Sequence, residues 1–310
     1  MITSGIFFSY SSQKDLDFLL SKVTNSSLNE IVLAVGGRIN LPSQTLEDET
    51  ERLTFILEKS RIGKTASYNR ALSRTHGDIT FLVSGDVRFD REVFEKCTEL
   101  FESDVGMVIP RVIQPKPQGI SERIGGVMWN FHDAFMQFME SKSGFFCGGE
   151  FQAVRNPGKI LSDNIVNDDE YLCHQVFQLG RKIVYARNIL VSNQIPGSLR
   201  KLMLQRIRVN YGHMQFNKET GLNSSMSLRG ISNIRTIFEV LVTYVRNYHS
   251  DFLFLPFAML FELVSLRFAR RDFANGKKHN IWDLVGDDVE DDFRDTLINS
   301  QGRTEGSCND

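Results

Sequence analysis

Four short stretches hold residues whose types and spacing can do chemistry. "FLVSGDVRFD" (81–90) runs from an apolar strand into Ser84, Gly85 and Asp86, which leaves a carboxylate at a strand end. "NDDE" (167–170) crowds three acids at a helix start, where they would suit the helix dipole and can also face a site. "QRIRV" (205–209) sets Gln205, Arg206 and Arg208 on a basic helix; a guanidinium can give two parallel hydrogen bonds to a phosphate. The plainer alternative for these arginines is a solvated helix face. Gly148 and Gly149 allow close backbone approach, or simply a turn.

The elements that must position them alternate in type. Strands are expected at 5–10, 30–37, 52–60 and 78–86, with helices at 12–25 and 64–77, the second closed by Gly77. Further strands are expected at 105–110 and 182–186, and helices after 167–170 and over 199–216. The run "EIVLAVGG" is apolar throughout, as in a parallel sheet covered on both faces. Alternating strands and helices imply an α/β fold, a mixed, mostly parallel sheet flanked by helices. Ligands in such sheets bind outside the carboxyl ends of the strands, where Asp86 stands.

Composition narrows the classes. With 310 residues, 41% hydrophobic and 24% charged, the chain has material for a sizeable core. Its net charge of -2 argues against bulk nucleic-acid binding. Cys97, Cys147, Cys173 and Cys308 form no CxxC pair and no zinc spacing, which reads as a reducing compartment. The start, "MITSGIFFSYSSQKD", lacks the basic and apolar regions of a signal peptide. No GxGxxG follows a strand, which weighs against a nicotinamide dehydrogenase.

The C-terminal third changes character. Residues 252–261, "FLFLPFAMLF", are wholly apolar, but Pro256, Glu262 and Arg267 interrupt a run that would need about 20 apolar residues to span a bilayer. The expectation is a helix lying in the membrane interface, or a hairpin with 237–245. Arg267, Arg270, Arg271, Lys277 and Lys278 suit an anionic cytoplasmic leaflet. Residues 281–310 are acidic and polar and are expected to be disordered. The division is 1–225 catalytic, 226–280 hydrophobic and basic, and 281–310 tail.

Residues 62–90 resemble a segment of the family-2 glycosyltransferases, which have the A-type nucleotide-sugar-binding fold. Gly63, Lys64, Asn69, Gly77, Asp78 and Asp86 match its pattern in register. "FFCGGEFQAVR" (145–155) is similar to its glycine-rich acceptor loop and following strand. "IVNDDEYLCHQVFQLGRKIVYA" (165–186) is similar to its acidic segment, and "QRIRV" to the QxxRW motif of its membrane-associated branch. Together these cover about residues 5–215 in family order.

The resemblance implies an inverting, metal-dependent sugar transfer from a nucleoside-diphosphate sugar to a glycan or lipid-linked acceptor, at the cytoplasmic face of a membrane. It makes Asp86 the ligand of a Mn2+ or Mg2+ ion and Asp168 the general base. It assigns Tyr10, Lys64, Asn69, Ser84, Asp86, Gln205, Arg206 and Arg208 to the donor nucleotide. Gly148, Gly149, Glu150, Asp169 and His213 fall to the acceptor.

Several positions depart from the pattern. Ser84 replaces the first acid of the metal motif, and Asn167 replaces the Glu before Asp168. Val35 and Gly36 fill the acidic slots that would recognise the donor base, leaving backbone groups or Asn40 for that task. Val209 replaces a Trp, which argues against processive polymerisation. These losses sustain an alternative, a non-catalytic binding protein with the same fold.

Overall fold

The computed structural model describes residues 1–40, 52–142, 144–160, 162–224, 234–248 and 253–281. Seven strands form one sheet: β1 (Thr3–Tyr10), β2 (Glu30–Gly36), β3 (Leu53–Glu58), β4 (Ile79–Ser84), β5 (Val105–Ile113), β6 (Phe151–Arg155) and β7 (Lys182–Ser192). Their order is β3-β2-β1-β4-β6-β5-β7. All neighbours are parallel except at β6, which is antiparallel to both β4 and β5. From β1 the chain steps to β2 and β3 on one side and then crosses back to β4 on the other. The loops leaving the paired carboxyl ends of β1 and β4 therefore head to opposite sides, a switch point, and Asp86 follows β4 there.

Alternate side chains of each central strand enter two separate cores. Ile6, Val32 and Leu82 face one; Phe7, Leu33, Phe81 and Val83 face the other. This explains the continuous apolar runs, since neither face meets water. The second face is covered by α1 (Gln13–Val23) and α3 (Val93–Thr98), through Leu16, Leu19, Val23, Phe94 and Cys97. Edge-to-face rings knit it together, with Phe81 and Phe94 centroids 5.1 Å apart. The first face carries α2 (Lys64–Leu72), α4 (Ile120–Ser141) and α5 (Asp168–Gln178), with α6 (Leu199–Thr220) beyond.

Two expectations need correction. Helix α2 ends at Leu72, not at Gly77; the Gly77 amide instead donates to Ser4 Oγ at 2.9 Å and ties the loop to β1. The C-terminal segment forms α7 (Ile234–Tyr248) and α8 (Leu255–Ala274), but these are not chiefly paired with each other. Helix α7 packs along α4 and α8 along α6. Val240, Tyr244 and Ala258 join the same core as Ile6 and Leu82. No described helix is long and apolar enough to cross a membrane. The acidic stretch from 282 lies outside the described residues.

Candidate functional site

The reversed direction of β6 brings its leading loop to the edge where β4 ends. The Ser84 amide donates to Glu150 O at 3.0 Å, so Glu150 stands directly beside the Ser84–Asp86 turn. Asp86 is exposed to solvent, although surrounding protein partly desolvates its carboxyl. Its carboxyl is held above the ordinary range, first by those low-dielectric surroundings and then by Asp15, against the pull of Lys64 and Arg208. The turn is braced from outside: Arg88 donates to Gly85 O at 3.1 Å and pairs with Asp15 of α1.

Lys64 opens α2 and reaches across to the same place. Its Nζ donates to Gly149 O and lies 3.1 Å from Asp168 Oδ2, both side chains being nearly buried. Burial would push this ammonium down, but Asp168, Asp169 and Glu150 hold it above its ordinary value. It is therefore a firm positive charge.

Successive residues of a helix point about 100° apart, so the acids opening α5 separate in direction. Asp168 turns to Lys64. Asp169 lies against Gly149, where an added Cβ would stand 2.9 Å from its Oδ2; a larger residue there would displace the carboxylate. Glu170 is fully buried and meets His213 Nδ1 at 3.0 Å. His213 also contacts Ser224 Oγ at 2.7 Å and the Asn167 amide at 3.3 Å, and Asn167 donates to Val209 O at 3.1 Å. Asn167 and His213 thus bolt α5 to α6, and neither faces the cleft as an open group.

Residues two apart on a helix do not share a face, and α6 illustrates it. Arg208 turns toward the acids: burial pushes its guanidinium down to about 10, while Asp168, Asp169, Asp86 and Glu150 counter that. Arg206 turns away and forms a two-pronged pair with Glu262 of α8, both bonds 2.8 Å. Asn210 joins that pair at 2.9 Å. Gln205 is half-buried beside Arg206. Asn69 is also committed elsewhere, its amide bonding Ile160 O, Ile160 N and Asp163 Oδ1 at 2.8–3.0 Å to pin the loop before α5.

The cluster thus unites Lys64, Ser84, Asp86, Gly149, Glu150, Asp168, Asp169 and Arg208, whereas Gly148 is buried against Ile109 and Met136 of the core. Tyr10 lies along the same edge, at the end of β1 beside Gly36, with the Arg61 guanidinium 4.9 Å over its ring. Sequence reasoning passed over Arg61; its only signal was a cation just before the Gly63–Lys64 turn. Four carboxylates face two cations here. Burial, with Asp169 and Asp86 adding repulsion, pushes the Glu150 carboxyl up to about 7. Burial and the adjacent Asp168 likewise raise Asp169.

Among the described residues no three His, Cys, Asp or Glu side chains form a metal cage. The donor set still fits a hard divalent cation held by one carboxylate and completed by phosphate oxygens. The surplus of negative charge around the open Asp86 favours a cation there.

No protein-family model matches the chain, and no curated protein matches it. Solved structures do. A mannosyltransferase from Pyrobaculum calidifontis, in complex with GDP-Man and Mn2+, aligns over 89% of this chain and 88% of its own at 16% identity, with a TM-score of 0.62. Glucosyl-3-phosphoglycerate synthase from Mycobacterium tuberculosis, in complex with Mn2+, UDP-glucose and phosphoglyceric acid, aligns over 72% of this chain and 81% of its own at 12% identity, with a TM-score of 0.44. By its strand order and its alignment with the mannosyltransferase, the chain has an A-type glycosyltransferase fold.

Proposed function

We propose that the protein moves a sugar from a nucleoside-diphosphate sugar to a hydroxyl of a glycan or lipid-linked acceptor, with inversion at the anomeric carbon. The observation that carries this reading is the convergence of Asp86, Glu150, Asp168 and Asp169 with Lys64 and Arg208 at the switch point of the sheet. The fold it shares with a mannosyltransferase solved with GDP-Man and Mn2+ supports the same reading.

Lys64 and Arg208 face the diphosphate. A Mn2+ or Mg2+ ion held by Asp86 would supply further positive charge to the departing phosphates. The acceptor oxygen attacks the anomeric carbon as the bond to phosphate breaks, and its proton must pass to a base. Asp168 is tied to Lys64, which orients it. Asp169 is more open, and its raised proton affinity suits a base working near neutral pH. We assign the base to this pair, with Asp169 taking the proton and Asp168 fixing Lys64. Glu150 and Gly149 border the acceptor side.

The outward face of α8 suggests where that acceptor lies. Phe257, Leu260 and Leu263, with Leu253 just before the helix, are each more than half exposed, and Arg267, Arg270 and Arg271 continue the stripe. An apolar stripe ending in cations fits a peripheral seat on an anionic, cytoplasmic membrane face. The second reading is a sugar-nucleotide binder without turnover, favoured by Ser84 in place of an acid.

Titration with UDP and GDP, with and without Mn2+, tests the proposal. Metal-dependent binding that Asp86→Asn abolishes, with folding intact, is the expected result. A folded protein that binds neither nucleotide would overturn it.

A further inference from the structure

Beyond α8 the chain turns at Gly276 and comes back over the molecule. Lys277 and His279 both fasten to Asp272, at 3.2 and 2.9 Å. The His279 ring packs on Tyr211 with centroids 4.7 Å apart, and its side chain is only 14% exposed. Asn280 Nδ2 donates to Asn164 Oδ1 at 3.2 Å. The Asn280 carbonyl presses on Gly63, where an added Cβ would stand 2.7 Å away. Gly63 also has a φ of 95°, so backbone and neighbour alike favour glycine at this place.

These three seats are not scattered. Gly63 precedes Lys64, Asn164 lies in the loop leading to Asp168 and Asp169, and Tyr211 follows Arg208 by three residues on α6. Every element that brings a cation to the site, and the one that brings the paired acids, is touched by one six-residue stretch. Burial, with Lys277 and Arg208 adding to it, holds the His279 imidazole below its ordinary value against the pull of Asp272.

We propose that residues 276–281 are a strap that sets the mutual placement of the Lys64, Asp168 and Arg208 elements, with His279 and Asn280 as positioning residues for the donor diphosphate. This rests on the donor-site reading above. Gly276, Lys277 and Lys278 are exposed, and among the described residues the strap is held mainly through His279 and Asn280, so it can lift without unfolding the core. A ligand that needs the seated arrangement must then hold the strap down, by linkage.

The test uses the full chain and trypsin, following release of the fragment cut after Lys277 or Lys278. With UDP or GDP plus Mn2+ at about ten times its Kd, cleavage there should slow about tenfold, because a protease can take these bonds into its cleft only when the adjoining His279 and Asn280 leave their seats. Asn280→Ala and His279→Ala should each weaken nucleotide binding about tenfold while the melting temperature of the free protein stays put. A purely structural role would do the reverse, lowering the melting temperature and sparing affinity. Unchanged cleavage with nucleotide demonstrably bound overturns the strap's role and leaves the donor site standing. If neither nucleotide binds the full chain, the donor-site reading falls and the strap's role with it. Should a variant fail to fold, the proteolysis of the unaltered protein still decides.

Discussion

Glu150 holds its proton up to about pH 7, against an ordinary value of 4.5. The folded state therefore binds this proton more tightly than the unfolded chain does. Stability is greatest below the ordinary value and is lost as pH rises through the folded one. The ligand-free melting temperature should fall between about pH 5 and about pH 8, and Glu150→Gln should flatten that fall. Asp86 and Asp169 shift the same way, so some slope should survive. A slope identical in the variant would remove Glu150 from the charged cluster. At this scale Asp86, Asp168 and Asp169 were legible in the sequence because they follow a strand or open a helix, and Glu150 because it follows the Gly148–Gly149 pair. The division of labour among them was not. Asp168, Asp169 and Glu170 look alike in a row, and only the helix turn sends one to Lys64, one to the cleft and one to His213.

Between elements, Arg206 links α6 to α8 through Glu262 rather than serving the cluster. Arg206→Ala leaves a half-buried carboxylate with only the neutral Asn210 amide beside it and should cost about 2 kcal/mol in urea unfolding. Nucleotide affinity should change little, whereas Arg208→Ala should abolish it. A large loss of affinity with unchanged stability in Arg206→Ala would reverse the assignment. The strands β1, β2 and β4 were readable because burial on both faces leaves uninterrupted apolar runs. Helix α4 escaped notice, since Gly125 and Gly126 look like breakers, although Gly125 simply lets Ile195 pack close. The direction of β6 was also out of reach by pattern. An apolar strand reads the same forwards or backwards, and only its pairing with β4 brings Glu150 beside Ser84.

For the whole molecule, the exposed stripe of α8 sets an expectation about surfaces. The protein should float with vesicles containing an anionic lipid and stay behind with neutral ones. Phe257→Asp combined with Leu260→Asp should abolish flotation and spare nucleotide binding. No flotation with anionic vesicles would remove the membrane seat. The reversed strand has a different consequence, one of timing. Lys64 and Gly149 are 85 residues apart in sequence, Asn69 and Asp163 are 94 apart, and Thr65 and Ile165 are 100 apart. Closing such loops is slow compared with pairing neighbours along the chain. On the ribosome, β1 to β4 can meet as soon as they emerge, yet the edge they present has no Glu150 until β6 arrives and no Arg208 until α6 does. Asn280 comes later still. A nascent chain would thus own most of its sheet long before the cluster of acids and cations at its edge was assembled.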